Sequence, residues 1–206
     1  MYKRQQVRRQ GTIGRCSAVA LLFCAAPAWA DSSAPAAAPL PGESVLQLPG
    51  LFTDQSSKAF HLSARRGPAQ LIGMFYGSCQ SVCPLLIDSS VATTRALEPG
   101  QRSRLRVLLV SLDPARDTSA VLARVAREHR LDLAHWTLAR TDEKTVRQLA
   151  AVLNVRYRQL ETGEFNHTSA LILLDRDGRE IARNENLSLT PDPQFIAAIR
   201  GAMQEP

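Results

Sequence analysis

The stretch GMFYGSCQSVCPLL, Gly73 to Leu86, joins an apolar run to two cysteines, Cys79 and Cys83, with Pro84 directly after the second. Extended back to Ala69 the run becomes AQLIGMFY, continuous and uncharged, as a strand buried on both faces requires. From about Val82 to Leu97 the pattern turns helical, and Pro84 suits an early helical position, where its missing N–H is no loss. The stretch therefore predicts a strand, a short loop and a helix N-terminus, with both cysteines at the junction. Unpaired N–H groups and a partial positive charge at such a terminus favour thiolate over thiol. They can lower a cysteine pKa from about 8.5 by one unit or more. Four chemistries stay open for the pair: a structural disulfide, a redox couple, a peroxide-reactive thiol and two soft metal ligands.

Outward from this stretch, apolar runs alternate with helical patterns. A second buried strand is expected at 104–112, a helix at Ser119 to Glu128, a strand at 136–139 and a helix at Asp142 to Leu153. Strands at 156–160 and 169–175 flank the turn residues ETGE. A short strand to about Arg183 and a helix from Asp192 complete the chain. This alternation argues for βαβ units, and the final hairpin-like pair adds an antiparallel portion. The expected architecture is α/β in three layers, a central mixed sheet flanked by helices.

The N-terminal region bounds the compartment. Met1 to Ala30 carries 5 of the 25 basic residues and no acidic one, so the remainder holds 20 basic against 19 acidic residues. The net charge of +6 thus mostly describes the first 30 residues and gives no reason to expect nucleic acid as a partner. A basic stretch, the apolar CSAVALLFCAA and AWA before Asp31 are the three parts of a secretory signal cleaved after Ala30. An uncleaved anchor is the competing reading, but a bilayer span needs about 20 apolar residues and this run has roughly half that. The protein is expected to be exported and periplasmic, soluble or membrane-tethered by an uncleaved signal. Residues 31–44, rich in Ala, Pro and Ser, read as a linker, and 45–206 as the folded domain.

Cleavage removes Cys16 and Cys24 and leaves Cys79 and Cys83 with only each other. An oxidising compartment permits a bridge, yet one closing so small a loop constrains the unfolded chain less than a long-range one. A closed zinc site of four thiolates would need two more cysteines.

The other chemically notable segment is FNHTSALILLDRDG, where His167 precedes an expected buried strand. A residue entering a central strand from the edge that carries strand-to-helix loops sits where α/β sheets collect functional groups. His61, His129 and His135 have no such setting and read as surface or hydrogen-bonded residues. Trp136 and Phe75 read as core. In SLDPARDT, Ser111 to Thr118, Asp113 lies near a strand end, while the run before a helix reads as a capping segment for Asp113 and Asp117.

Taken together, Cys-x-x-x-Cys-Pro, SLDPARDT and NHTSALILLDRDG, in this order and at these separations, closely resemble the Sco/SenC family of exported copper proteins with a thioredoxin-like fold. The resemblance covers about Leu51 to Asn186. It implies one copper ion held by Cys79, Cys83 and His167, and a role in assembling the binuclear copper centre of cytochrome c oxidase. The partner implied is a copper-receiving oxidase subunit or another copper protein, with a copper donor and a thiol reductant upstream. Two thiolates and an imidazole suit Cu(I) and could also hold Cu(II). The chain departs from the family at Gly77-Ser78, beside the first cysteine, and at Asn166, where the family commonly has Asp.

Three other functions stay open, two of them enzymatic and the third an interaction module in which Cys79 and Cys83 form only a clasp, leaving His167 unexplained. A thiol–disulfide oxidoreductase would use Cys79 and Cys83 as a redox pair, though such proteins typically carry Cys-x-x-Cys and a facing cis-proline. Here no proline occurs between Pro114 and Pro191. A peroxidase would need the Pro/Thr pattern that precedes a peroxidatic cysteine, and the chain lacks it.

Overall fold

The structure, a computed structural model, describes residues 38–77 and 82–204, with side chains in the second range described from residue 85 onward. The expected signal, most of the linker and Cys79 lie outside the described residues, as does the side chain of Cys83.

The uncharged run does form a central strand. β3 (Gln70–Phe75) is buried at all six positions, and it runs parallel to β4 (Arg106–Ser111) in the register Gln70↔Arg106 to Phe75↔Ser111. β4 in turn runs parallel to β5 (Trp136–Arg140). The crossovers are α1 (Val82–Arg95) with the short α2 (Pro99–Arg102), and α3 (Ser119–Glu128). On the other side of β3 lie β8 (Leu171–Leu174) and β9 (Glu180–Asn184), each antiparallel to its neighbour. α5 (Pro193–Ala202) follows them. The antiparallel addition expected from the sequence is therefore present.

A second addition was not expected. β1 (Phe52–Asp54) and β2 (Ala59–Phe60) pair antiparallel on the far side of β5, so the sheet has seven strands in the order β2-β1-β5-β4-β3-β8-β9. Strands of three and two residues carry too little alternation to stand out in a sequence.

The hairpin around ETGE also differs from expectation. β6 (Tyr157–Gln159) pairs not with the buried run but with β7 (Phe165–His167), as a separate two-stranded sheet. Gly163, at φ 81°, makes the left-handed turn between them. His167 thus sits on its own short strand, and the buried strand begins only at Leu171.

Leu71, Leu109, Leu171 and Leu174 are fully buried, as is Phe75, and Trp136 is 5% exposed. Helix starts follow their capping residues. Thr118 accepts from the Val121 N–H at α3, and Asp142 from the Thr145 N–H at α4 (Glu143–Val152). Among the described residues no helix is long and apolar enough to cross a membrane.

Candidate metal centre

β3 ends at Phe75, Tyr76 and Gly77 follow, and α1 begins at Val82 with Cys83 in its first turn. The cysteine-bearing loop therefore leaves the sheet at the C-terminal end of β3. β8 runs antiparallel to β3, with Ile72 opposite Ile172 and Gln70 opposite Leu174. The start of β8, and the segment before it, consequently lies at that same edge. The edge expected to gather functional groups gathers Gly77, the start of α1 and His167.

His167 has a defined tautomer. Its Nδ1 lies 3.1 Å from the Thr168 carbonyl oxygen, which can only accept, so Nδ1 carries the proton and Nε2 the lone pair. The Thr168 N–H donates to the Arg156 carbonyl at 2.8 Å, so this acceptor is itself held by the hairpin. Burial pushes the imidazole below its ordinary pKa, opposed by the bond to Thr168. The ring stands edge-on to Tyr76, with centroids 5.9 Å apart, and Phe165 packs against the same tyrosine at 5.3 Å. The Tyr76 hydroxyl donates to the Phe165 carbonyl at 3.4 Å.

Alternation along β7 separates Asn166 from this arrangement. Phe165 and His167 share one face, and Asn166, exposed, projects from the other. The side chain at position 166 is thus not the partner of the imidazole, and the Thr168 carbonyl takes that role.

Asp117 occupies a place the sequence did not reveal. It is buried, and its Oδ2 accepts the Gly77 N–H at 2.8 Å and the Ser111 hydroxyl. The Ser111 Oγ accepts the Asp113 N–H at 2.9 Å. Burial raises the Asp117 carboxyl above its ordinary pKa, against the opposing hydrogen bonds from Ser111 and Gly77. Thr118 provides the α3 cap, so the capping role expected of Asp117 is replaced by one of anchoring the end of β3. Asp113, also buried, pairs with Arg116, whose Nη2 donates to the Gly163 carbonyl in the β6–β7 turn. One polar chain thus runs from the loop after β3, through the end of β4, to the hairpin that carries His167. Its only advance signal was small polar residues closing an apolar strand in SLDPARDT.

Other expected roles hold. His61, His129 and His135 bond the Gly50 carbonyl, Asp88 and Asp132 respectively. Among the described residues no three His, Cys, Asp or Glu side chains gather as a metal site. A site at His167 has to draw on side chains outside them, where those of Cys79 and Cys83 fall.

The model of the SCO1/SenC family matches residues 43–204. Solved structures share the fold. Bradyrhizobium japonicum ScoI with copper bound is 23% identical, with a TM-score of 0.63 over 75% of this chain and 97% of that one. A SCO1/SenC family lipoprotein from Bacillus anthracis is 20% identical, with a TM-score of 0.68 over 75% and 92%. BsSco, described with a disulfide switch and as a member of the Sco family of cytochrome c oxidase assembly proteins, is 18% identical, with a TM-score of 0.67 over 77% and 94%. None of the curated proteins compared with the chain matches it.

Proposed function

The chain belongs to the SCO1/SenC family, and on that premise we propose that it binds one copper ion through Cys79, Cys83 and His167 and supplies it during assembly of the copper centre of cytochrome c oxidase. The observation that carries this reading is the state of His167: Nδ1 is bonded to the Thr168 carbonyl and Nε2 holds the lone pair, at the sheet edge from which the cysteine loop leaves. A neutral imidazole with one nitrogen fixed by a backbone acceptor is the usual form of a histidine ligand. Copper is the cargo, and two thiolates with an imidazole make a soft donor set suited to Cu(I) that also accepts Cu(II). Asp117 fixes the start of the loop through Gly77, and Arg116 ties the hairpin to the same polar chain. Copper-bound ScoI and the assembly role ascribed to BsSco's family support the reading.

The test is stoichiometric. Wild type should retain one copper per chain after dialysis against a weak chelator, and a Cys79→Ser/Cys83→Ser variant should retain none. Equal retention by both would overturn the reading.

A second reading, thiol–disulfide exchange on the cysteines of an oxidase subunit, is favoured by Cys83 lying in the first turn of α1 and by the disulfide switch of BsSco. In that reading a thiolate of the pair attacks the substrate disulfide, the other closes the protein's own disulfide, and the substrate leaves as a dithiol.

A further inference from the structure

At the opposite edge of the sheet, where β3 and β4 begin and the β8–β9 turn lies, two adjoining depressions share Pro68 and Arg106. The larger, about 380 Å³, includes Arg104, Arg106 and Arg176 among its walls, and the smaller, about 180 Å³, includes Arg65 and Arg66. Among the described residues neither wall contains a carboxylate. Among the described residues, Arg66 is the one arginine of the five with an ion pair, to Asp177 at 2.7 Å. Arg65 is half-buried and satisfied by neutral groups, the Gln70 Oε1 at 3.0 Å, the Thr137 hydroxyl at 3.2 Å and the face of Phe60 at 5.6 Å. Burial, with Arg106 beside it, pushes the Arg65 guanidinium down to about 10.

Carbonyl capping accounts for part of the cluster. Arg104 reaches the Gly100 and Met203 carbonyls at 3.3 and 3.5 Å, and Arg106 the Ser103 and Leu105 carbonyls at 2.9 and 3.3 Å. Arg106 does this through Nη1 alone, which leaves further donors on its five-donor fork. The Arg176 side chain bonds no described residue. Unneutralised like charges around a concave, partly desolvated surface repel one another, and an anion seated among them removes that repulsion.

We propose that this five-arginine depression is a binding site for a phosphate group, which planar guanidinium forks take in bidentate fashion. The favoured source is an anionic phospholipid headgroup. The chain enters the fold at this edge, with Arg66 donating to the Ala38 carbonyl, and the segment before it carries the basic and apolar pattern of a membrane-directed leader. A headgroup bound here turns the opposite edge, with His167, away from the lipid. The inference is independent of copper.

The full chain is mixed with vesicles of phosphatidylcholine alone or with about a third phosphatidylglycerol, and the bound fraction is measured by sedimentation at low and high salt. Inorganic phosphate is titrated separately by calorimetry. Each arginine near a lipid surface contributes about fivefold in affinity, so Arg104→Gln/Arg176→Gln should bind phosphatidylglycerol vesicles on the order of 25-fold more weakly. A control of equal charge, Arg124→Gln/Arg127→Gln on the exposed face of α3, should change binding far less. Phosphate binding abolished by the first variant, with no vesicle binding by wild type, assigns the site to free phosphate. Absence of both, or equal losses in the two double variants, overturns the proposal. Copper retention by Arg104→Gln/Arg176→Gln should equal that of wild type in every case.

Discussion

The Gly77 N–H donates to the Asp117 carboxylate across 2.8 Å, joining the last described residue before the cysteine loop to the residue that precedes the α3 cap. A buried acceptor forty residues away in sequence thereby sets where the loop departs.

Asp117→Ala should destabilise the fold by about 1–3 kcal/mol, because it leaves the Gly77 N–H and the Ser111 hydroxyl without their acceptor. Asp117→Asn keeps an acceptor oxygen and should cost less. Urea unfolding of the three proteins checks the ranking.

The same carboxyl gives a pH dependence. Its folded pKa is raised by burial, so between the ordinary Asp value and the raised one the folded state binds more protons than the unfolded. Its contribution is therefore largest below the ordinary value, falls as pH rises through the raised one and is level above. Asp117→Asn should flatten that part of the stability profile, and an unchanged slope would show that Asp117 does not cause it.

A side chain at Gly77 has no room. An added Cβ would stand 2.7 Å from Asp117 Oδ1 and 3.0 Å from Val121 Cγ1. Gly77→Ala should displace the start of the loop, lowering both the melting temperature and copper retention, whereas Gly100→Ala, with open space around it, should change neither appreciably.

His167→Ala separates the two proposed functions. Losing one of the three proposed ligands should weaken copper retention by more than the roughly 10–100-fold that loss of a ligand's partner costs. Thiol exchange needs two sulfurs and access. Removing the ring from Tyr76 costs the fold only about 1 kcal/mol. Paired assays of copper bound per chain and of reduction of a model disulfide decide. Normal copper retention with lost reductase activity would replace the chaperone reading with the oxidoreductase one.

Asn166→Asp, which places a carboxylate beside His167 in sequence, should leave copper affinity within about twofold, as expected of an exposed substitution worth about 0.5 kcal/mol. The side chain projects from the face of β7 opposite His167. A large gain in affinity would mean that position 166 reaches the ligand after all.

The central sheet was legible because β3, β4 and β8 have apolar interiors of strand length bounded by turn and helix signals, as strands covered on both faces do. α3 was legible from its amphipathic face, down to its bounds. β1 and β2 were too short to leave a period. The hairpin was misread because the turn ETGE was followed by a long apolar run, and the three residues Phe165–His167 pair before that run begins. At the site, spacing singled out the cysteines and His167, but Asp117 resembled a cap. Its contact with Gly77 is tertiary, and no local pattern encodes a tertiary acceptor.

The hairpin's separateness has a mechanical consequence. β6 and β7 bond one another and no strand of the main sheet, while the segment bearing the cysteines is continuous with β3 and α1. A two-stranded ribbon of three-residue strands is marginal by itself. Its amides should exchange with solvent deuterium through a local opening well below the free energy of global unfolding. Such an opening would carry the imidazole off while the sheet stays intact, so an ion held at the proposed site would pass from three donors to two without the protein unfolding.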